Sequence, residues 1–199
     1  MTDTPQVPRK PWPLTRADTD SAPWLVIDVE TTGFRNRHEI TQLGMVYLED
    51  GLLSDPWEEH FYRVLPSDTD HPVDADPVAL ELTGYDPQLW RDTAIPIDEA
   101  LQKLFKMWEG CILAAYQLPF ELRFIDNAAK KAGVRPRARP LMNVDALTLV
   151  RPMRKANMVE NIKLSTVCKH YDISLEDEHN ALADARRCFK VLRAMKAQL

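Results

Sequence analysis

The stretch Trp24-Leu25-Val26-Ile27-Asp28-Val29-Glu30-Thr31-Thr32-Gly33-Phe34 is an apolar run that ends in two acids, one residue apart. The run predicts a β-strand closed by Gly33. Successive strand side chains point to opposite faces, so Asp28 and Glu30 project from one patch of sheet. Two carboxylates on one patch repel each other unless a cation sits between them, and hard divalent ions such as Mg²⁺ take oxygen ligands. Two solvated acids at a strand end give the same spacing, so the pair needs support from elsewhere in the chain.

Composition limits the setting. With 199 residues and 45% hydrophobic content the chain can bury one substantial core, which predicts a single domain over 24–199. Residues 1–23 carry several prolines and charges with no apolar periodicity, and read as a flexible N-terminal extension without a signal core. No other apolar run nears the roughly 20 residues of a membrane span. Cys111, Cys168 and Cys188 have neither metal-type spacing nor a paired framework, so a reducing, cytoplasmic setting is expected. A net charge of −5 argues against coating long nucleic acid by bulk electrostatics, while a local site for a strand end stays open.

Further elements follow along the chain. Two more strands are expected at Ile40 to Leu48 and His60 to Leu65, separated by the turn Glu49-Asp50-Gly51. Asp76-Pro77 supplies an N-cap and first-turn proline for a short helix through Leu82, with Gly84 near its end. Ile97, Leu101, Leu104, Phe105 and Trp108 recur at helical spacing and close at Gly110. Cys111 to Ala115 then suits a buried strand, and Leu118 to Ala132 an amphipathic helix, together a crossover unit. A last strand is expected at Leu141 to Val144, and two helices near Leu164 to Tyr171 and Asn180 to Lys196.

The final helix supplies the support. Its apolar stripe is Ala181, Leu182, Ala185, Cys188, Phe189, Leu192 and Met195, with Asp184 three after Ala181 and four before Cys188. Asp184 therefore faces inward, where a carboxylate is costly unless paired, hydrogen-bonded or bound to metal. The opposite face carries Arg186, Arg187, Lys190 and Arg193. His179 precedes this helix, where the positive end of the helix dipole favours a neutral ring able to accept a proton. Glu121, in the first turn of the helix from Leu118, also leans toward the core. Asp126 lies five residues further on, rotated by about 140°, and does not share its face.

Asp28-Val29-Glu30-Thr31-Thr32-Gly33 resembles the first motif of the DEDDh 3′ to 5′ exonuclease superfamily, which includes polymerase proofreading subunits, ribonuclease T and oligoribonuclease. His179-Asn180-Ala181-Leu182-Ala183-Asp184-Ala185 is similar to its third motif. His71-Pro72-Val73, Leu82-Thr83-Gly84 and Val144-Asp145-Ala146-Leu147 resemble shorter family segments, so the likeness runs from about Trp24 to the C-terminus. The second motif departs: where the family has an Ala-His-Asn-Ala-x-Phe-Asp type string, this chain has Ala115-Tyr116-Gln117-Leu118-Pro119-Phe120-Glu121.

The resemblance implies an α/β, ribonuclease H-like fold with a five-stranded mixed sheet flanked by helices. It implies metal-dependent hydrolysis of single-stranded DNA or RNA from the 3′ end to nucleoside monophosphates. Two Mg²⁺ or Mn²⁺ ions would be bound by Asp28, Glu30, Glu121 and Asp184, with Asp28 between them and Glu121 fixing their waters. His179 would be the general base, and Thr31 and Phe34 would meet the terminal nucleotide. Arg35, Arg37, Arg151, Arg154 and Lys155 fall in expected loops within reach of phosphates. Replacement of the second-motif Asp by Glu121 supports an alternative, a weakly active or inactive module that binds a 3′ end or associates with a polymerase. DNA versus RNA, a polymerase partner and a homo-oligomer stay open at this level.

Overall fold

The computed structural model describes residues 21–176 and 179–198. Residues 1–20 of the expected extension lie outside them. The apolar run forms strand β1 (Trp24–Thr31), flanked by β2 (Ile40–Leu48) and β4 (Ile112–Ala115) in a five-stranded sheet of order β3-β2-β1-β4-β5. β1 pairs antiparallel with β2, and β2 with β3 (Glu58–Arg63). β1 pairs parallel with β4, and β4 with β5 (Met142–Asp145). This is the mixed sheet expected of a ribonuclease H-like fold.

Between β3 and β4 lie α1 (Pro77–Leu82), α2 (Pro87–Thr93) and α3 (Ile97–Trp108); α4 (Leu118–Ala132) links β4 to β5. After β5 come α5 (Ala146–Lys155), α6 (Leu164–His170) and α7 (Ala181–Ala197). Two of these helices had not been expected. Asp86 caps α2 through Leu89 N with Pro87 in the first turn, the same device as Asp76-Pro77 at α1. α5 contains Pro152 and ends in basic residues, which read as loop, so Arg151, Arg154 and Lys155 stand on a helix instead.

Alternation along β1 sorts the core into two layers. Leu25, Ile27 and Val29 pack with Leu101, Leu104, Leu118, Phe124 and Ile125 of α3 and α4. Trp24 and Val26 point the other way, into a cluster with Ala185, Cys188, Phe189 and Leu192 of α7. Asp28 and Glu30 continue the second row, so the acid pair lies on the face that α7 covers.

How close α7 comes is set by β2. Gly44 stands opposite Asp28 and Gln42 opposite Glu30 in the antiparallel ladder. A Cβ on Gly44 would lie 2.2 Å from the carbonyl carbon of Ala181 and 2.3 Å from the Leu182 nitrogen, so only glycine lets the first turn of α7 rest on the strand. Gln42 is buried there. Its Oε1 accepts from Ala181 N at 3.1 Å and its Nε2 donates to the Thr83 carbonyl at 2.9 Å, tying β2, α7 and the end of α1 together.

Gly44→Ala should therefore push α7 off the sheet. Overpacking against rigid backbone typically costs about 1–3 kcal/mol, so chemical denaturation should show that loss with an unchanged m-value.

Candidate active site

Three elements deliver the acids, each for a local reason. Asp28 and Glu30 come from the last turn of pleat in β1, just before the register shifts between Glu30 and Thr31. Asp184 comes from the first turn of α7, whose N-cap Asn180 accepts from Leu182 N at 3.1 Å and Ala183 N at 3.2 Å. His179 turns the chain into that cap with φ of 63°, and its backbone N–H donates to Asp184 Oδ2 at 3.2 Å. Ligating atoms of Glu30, His179 and Asp184 all fall within 4.8 Å of one another.

Glu121 arrives from the opposite layer. β4 follows β1 only as far as Val26, opposite Ala114, and then leaves for α4. The strand edge beyond has lost its neighbour, and the Val29 N–H there donates to Glu121 Oε2 at 3.0 Å. Glu121 is 4% exposed, so this carboxylate both satisfies a buried backbone donor and adds a charge beneath the acid pair. The start of α4 is itself fixed by Asp145, whose Oδ1 accepts from Leu118 N at 3.0 Å and whose Oδ2 accepts from Thr148 N at 3.2 Å. One side chain at the end of β5 thus caps two helices.

A compensating cation is Arg187, which helical spacing had placed on the outer face of α7. It is instead 3% exposed, with Nη1 2.5 Å from Asp184 Oδ1, and its guanidinium also donates to the carbonyls of Ser174 and Glu176. The pairing is an i, i+3 contact, and the carbonyls take up the remaining donors. Spacing from Asp184 was the signal that could have found it.

One guanidinium does not balance four acids. Burial, then the charges of Glu121, Glu30 and Asp184, hold the Asp28 carboxyl well above the ordinary range, with Arg187 opposing. Burial also raises Glu121, against the hydrogen bond from Val29. Glu30 is pushed up to about 7 by burial and then by Asp184. Asp184 is raised by burial, opposed by Arg187 and by the His179 backbone hydrogen bond. Such mutual repulsion in a half-buried site is what a divalent cation would relieve, and an all-oxygen set with one imidazole beside it suits a hard or borderline ion.

The remaining predicted residues are spread around this centre. Thr31 is buried and its hydroxyl donates to the Gly33 carbonyl at 2.8 Å, so its side chain is engaged in shaping the loop. Phe34 is 70% exposed, its ring 6.2 Å from that of Phe120. It is not a core residue. Arg37 pairs with Asp74 at 2.9 Å, and Arg123 donates to the Phe34 carbonyl at 2.9 Å. Tyr116, in the altered second motif, donates to the Ile162 carbonyl at 2.7 Å. A cleft of about 450 Å³ opens beside His179, bounded by Phe61, Thr83, Asn180 and Arg186.

With this arrangement in view, comparison with known proteins decides the family. An exonuclease family profile, that of ribonuclease T, matches residues 25–192. The chain belongs to the RNase T exonuclease family. It is thereby a member of the DEDD 3′–5′ exonuclease superfamily, whose nucleases depend on divalent metals. Among curated proteins it is similar to the PolC-type DNA polymerase III of Listeria monocytogenes, 32% identical over 168 residues, covering 83% of this chain and 11% of that protein. The polymerase of the same type from Caldanaerobacter subterraneus is 28% identical over 177 residues, 88% of this chain and 12% of that protein. The chain thus spans about a tenth of the length of these relatives. Among solved structures, exonuclease I superposes with a TM-score of 0.77 at 16% identity, over 89% of this chain and 41% of that one. Exonuclease I of E. coli bound to a dT13 oligonucleotide gives 0.75 at 18% identity, over 89% of this chain and 42% of that one. At these identities the likeness speaks for the fold.

The raised acids predict an unusual pH response of the metal-free protein. Glu30 titrates near 4.5 when unfolded and about 7 when folded, so between those values the folded state holds more protons. The stability Glu30 contributes should be present in full below about 4.5 and be lost as pH rises through about 7, and a divalent cation should offset that loss. Thermal melts in chelator at about pH 5.5 and about pH 8 test this, with Glu30→Gln flattening the difference.

Proposed function

We propose that this chain hydrolyses single-stranded nucleic acid from its 3′ end, releasing nucleoside monophosphates. The observation that carries this reading is the convergence of Asp28, Glu30, Glu121 and Asp184 with the His179 imidazole on one half-buried patch, in a chain of the exonuclease family. The four carboxylates would hold two Mg²⁺ or Mn²⁺ ions. Metal in such a site supplies an activated water and stabilises the leaving oxygen.

The protein's own groups perform the remaining tasks. His179 is exposed on a turn whose backbone is fixed by Asp184, which leaves its ring free to accept the proton of an attacking water. Arg187 holds one oxygen of Asp184 and so sets the direction in which the other is offered. Glu121 retains its hold on Val29 while its carboxylate faces the acid pair. The terminal base would stack on the aromatic surface of Phe34 and Phe120, a contact every base can make. The cleft beside His179 would receive the strand behind that base, its Arg186 held in place by Glu59 through Nε and Nη2, both at 2.7 Å.

A cytoplasmic location fits the three buried cysteines, Cys111, Cys168 and Cys188, which are free thiols. Association with a polymerase is supported by the relatives, in which this segment is part of a DNA polymerase III. A weakly active 3′-end-binding module is the second reading. It is favoured by the Tyr116, Gln117 and Glu121 departures in the second motif.

Digestion of 5′-labelled DNA and RNA strands with Mg²⁺ or Mn²⁺ tests the proposal. A ladder shortening from the 3′ end is expected, abolished in Asp28→Ala and reduced roughly 10²–10⁴-fold in His179→Ala. Metal-independent products, or an unchanged ladder from Asp28→Ala, would remove it.

A further inference from the structure

The protein is acidic as a whole, with a net charge of −5, yet one segment is wholly basic. Between Asp126 and Asp145 there is no acid, while Lys130, Lys131, Arg135, Arg137 and Arg139 fall within that interval. All five side chains are exposed, and none takes part in the ion pairs found among the described residues.

The segment is built rather than loose. α4 ends at Gly133, in the left-handed conformation, with Val134 N donating to the Ala129 carbonyl at 3.0 Å. Beyond it, residues alternate: Val134, Pro136, Ala138 and Pro140 are half-buried, while Arg135, Arg137 and Arg139 point out. The Ala138 carbonyl accepts from Trp108 Nε1 at 3.1 Å, and Leu141 N donates to the Cys111 carbonyl at 2.9 Å. Two prolines and two long-range hydrogen bonds therefore present three guanidiniums from a fixed backbone, which lowers the ordering cost of any contact they make.

The position matters as much as the charge. The segment precedes β5, whose four residues end at Asp145, the cap on the start of the helix that carries Glu121, so Arg139, six residues before Asp145, lies at most roughly 20 Å along the chain from that end of the sheet. That is near enough for a strand whose 3′ end is engaged to reach it a few nucleotides upstream. Guanidiniums in place of ammoniums favour phosphate, which they grip in a bidentate fork.

We propose that Arg135, Arg137 and Arg139, with Lys130 and Lys131 beside them, form a second phosphate-binding surface that holds the upstream part of a single strand. The inference rests on the nucleic-acid substrate proposed above. It adds a prediction that reading does not make: the enzyme favours long strands over short ones, and the preference resides in this segment.

The test separates binding from turnover. Binding of a fluorescent oligothymidylate of about 16 nucleotides, followed by anisotropy in chelator, should weaken about tenfold or more in the Arg135→Ala/Arg137→Ala/Arg139→Ala protein. The slope of log affinity against log salt should fall by about 2, from about 0.7 for each of three lost phosphates. Arg→Lys at the three positions should retain most of the slope, because charge is kept. In turnover, KM for the 16-mer should rise by a similar factor, while kcat and KM for a dinucleotide, too short to span both sites, stay unchanged. Loss of binding in chelator without turnover on either strand would uphold the surface and reject the nuclease reading. Equal binding and equal KM for wild type and variant would overturn the surface and leave the nuclease reading standing. Unchanged strand binding with a lost affinity for polyglutamate would also overturn it, in favour of an acidic protein partner.

Discussion

Four carboxylates drawn from three elements converge on one half-buried patch, and their mutual repulsion is the constraint around which the surrounding structure is arranged. Each acid is raised above its ordinary range by burial before any neighbour is counted. A fold does not hold such a cluster through the acids' own contacts. It holds it by fixing the backbones that carry them: β1 through the centre of the sheet, α7 through Gly44 and Gln42 of β2, and α4 through Asp145. The cost of the cluster is then borne by the hydrophobic layers on either side, Leu25, Ile27 and Val29 against α3 and α4, and Trp24 and Val26 against α7.

Two side chains reduce that cost without removing it. Arg187 neutralises part of Asp184 and anchors itself to backbone carbonyls, so it is a fixture of the site and not a mobile counterion. Glu121 couples the acid pair to the open edge of β1, where β4 departs and leaves the Val29 N–H without a strand partner. Glu121 reaches that donor from the first turn of α4. The second-motif substitution is therefore a structural member of the sheet edge as well as an acid. The ordered hydrogen bond favours a site built to hold its charge, and the residual repulsion is the driving force for taking up a cation.

Much of this was legible in the sequence, and the failures have physical reasons. The strand from Trp24, the helix Leu118–Ala132 and the inward face of Asp184 follow from local periodicity, and they appear with matching boundaries or orientation. α2 was missed although Asp86-Pro87 repeats the Asp76-Pro77 signal, because its seven residues offer little apolar periodicity. α5 was missed because Pro152 within a basic stretch reads as a break, yet its Asp145 cap and buried Ala146, Leu147 and Val150 sustain the helix. Arg187 was assigned outward because a helical wheel sees charge and not the carbonyls of Ser174 and Glu176 that make burial affordable. The Glu121 to Val29 and Gln42 to Ala181 hydrogen bonds span 92 and 139 residues, and no local pattern announces contacts of that range.

The central claim is that the acid cluster is a cation site held partly protonated until an ion enters. Calorimetric titration with Mn²⁺ in two buffers of different ionisation enthalpy measures this directly, because ligands must lose their protons to bind. With Glu30 titrating at about 7, saturable binding should release protons at about pH 6.5, with the release fading toward about pH 8.5 and binding lost in Asp28→Ala. Absence of saturable binding, or heats identical in both buffers at the lower pH, would contradict it.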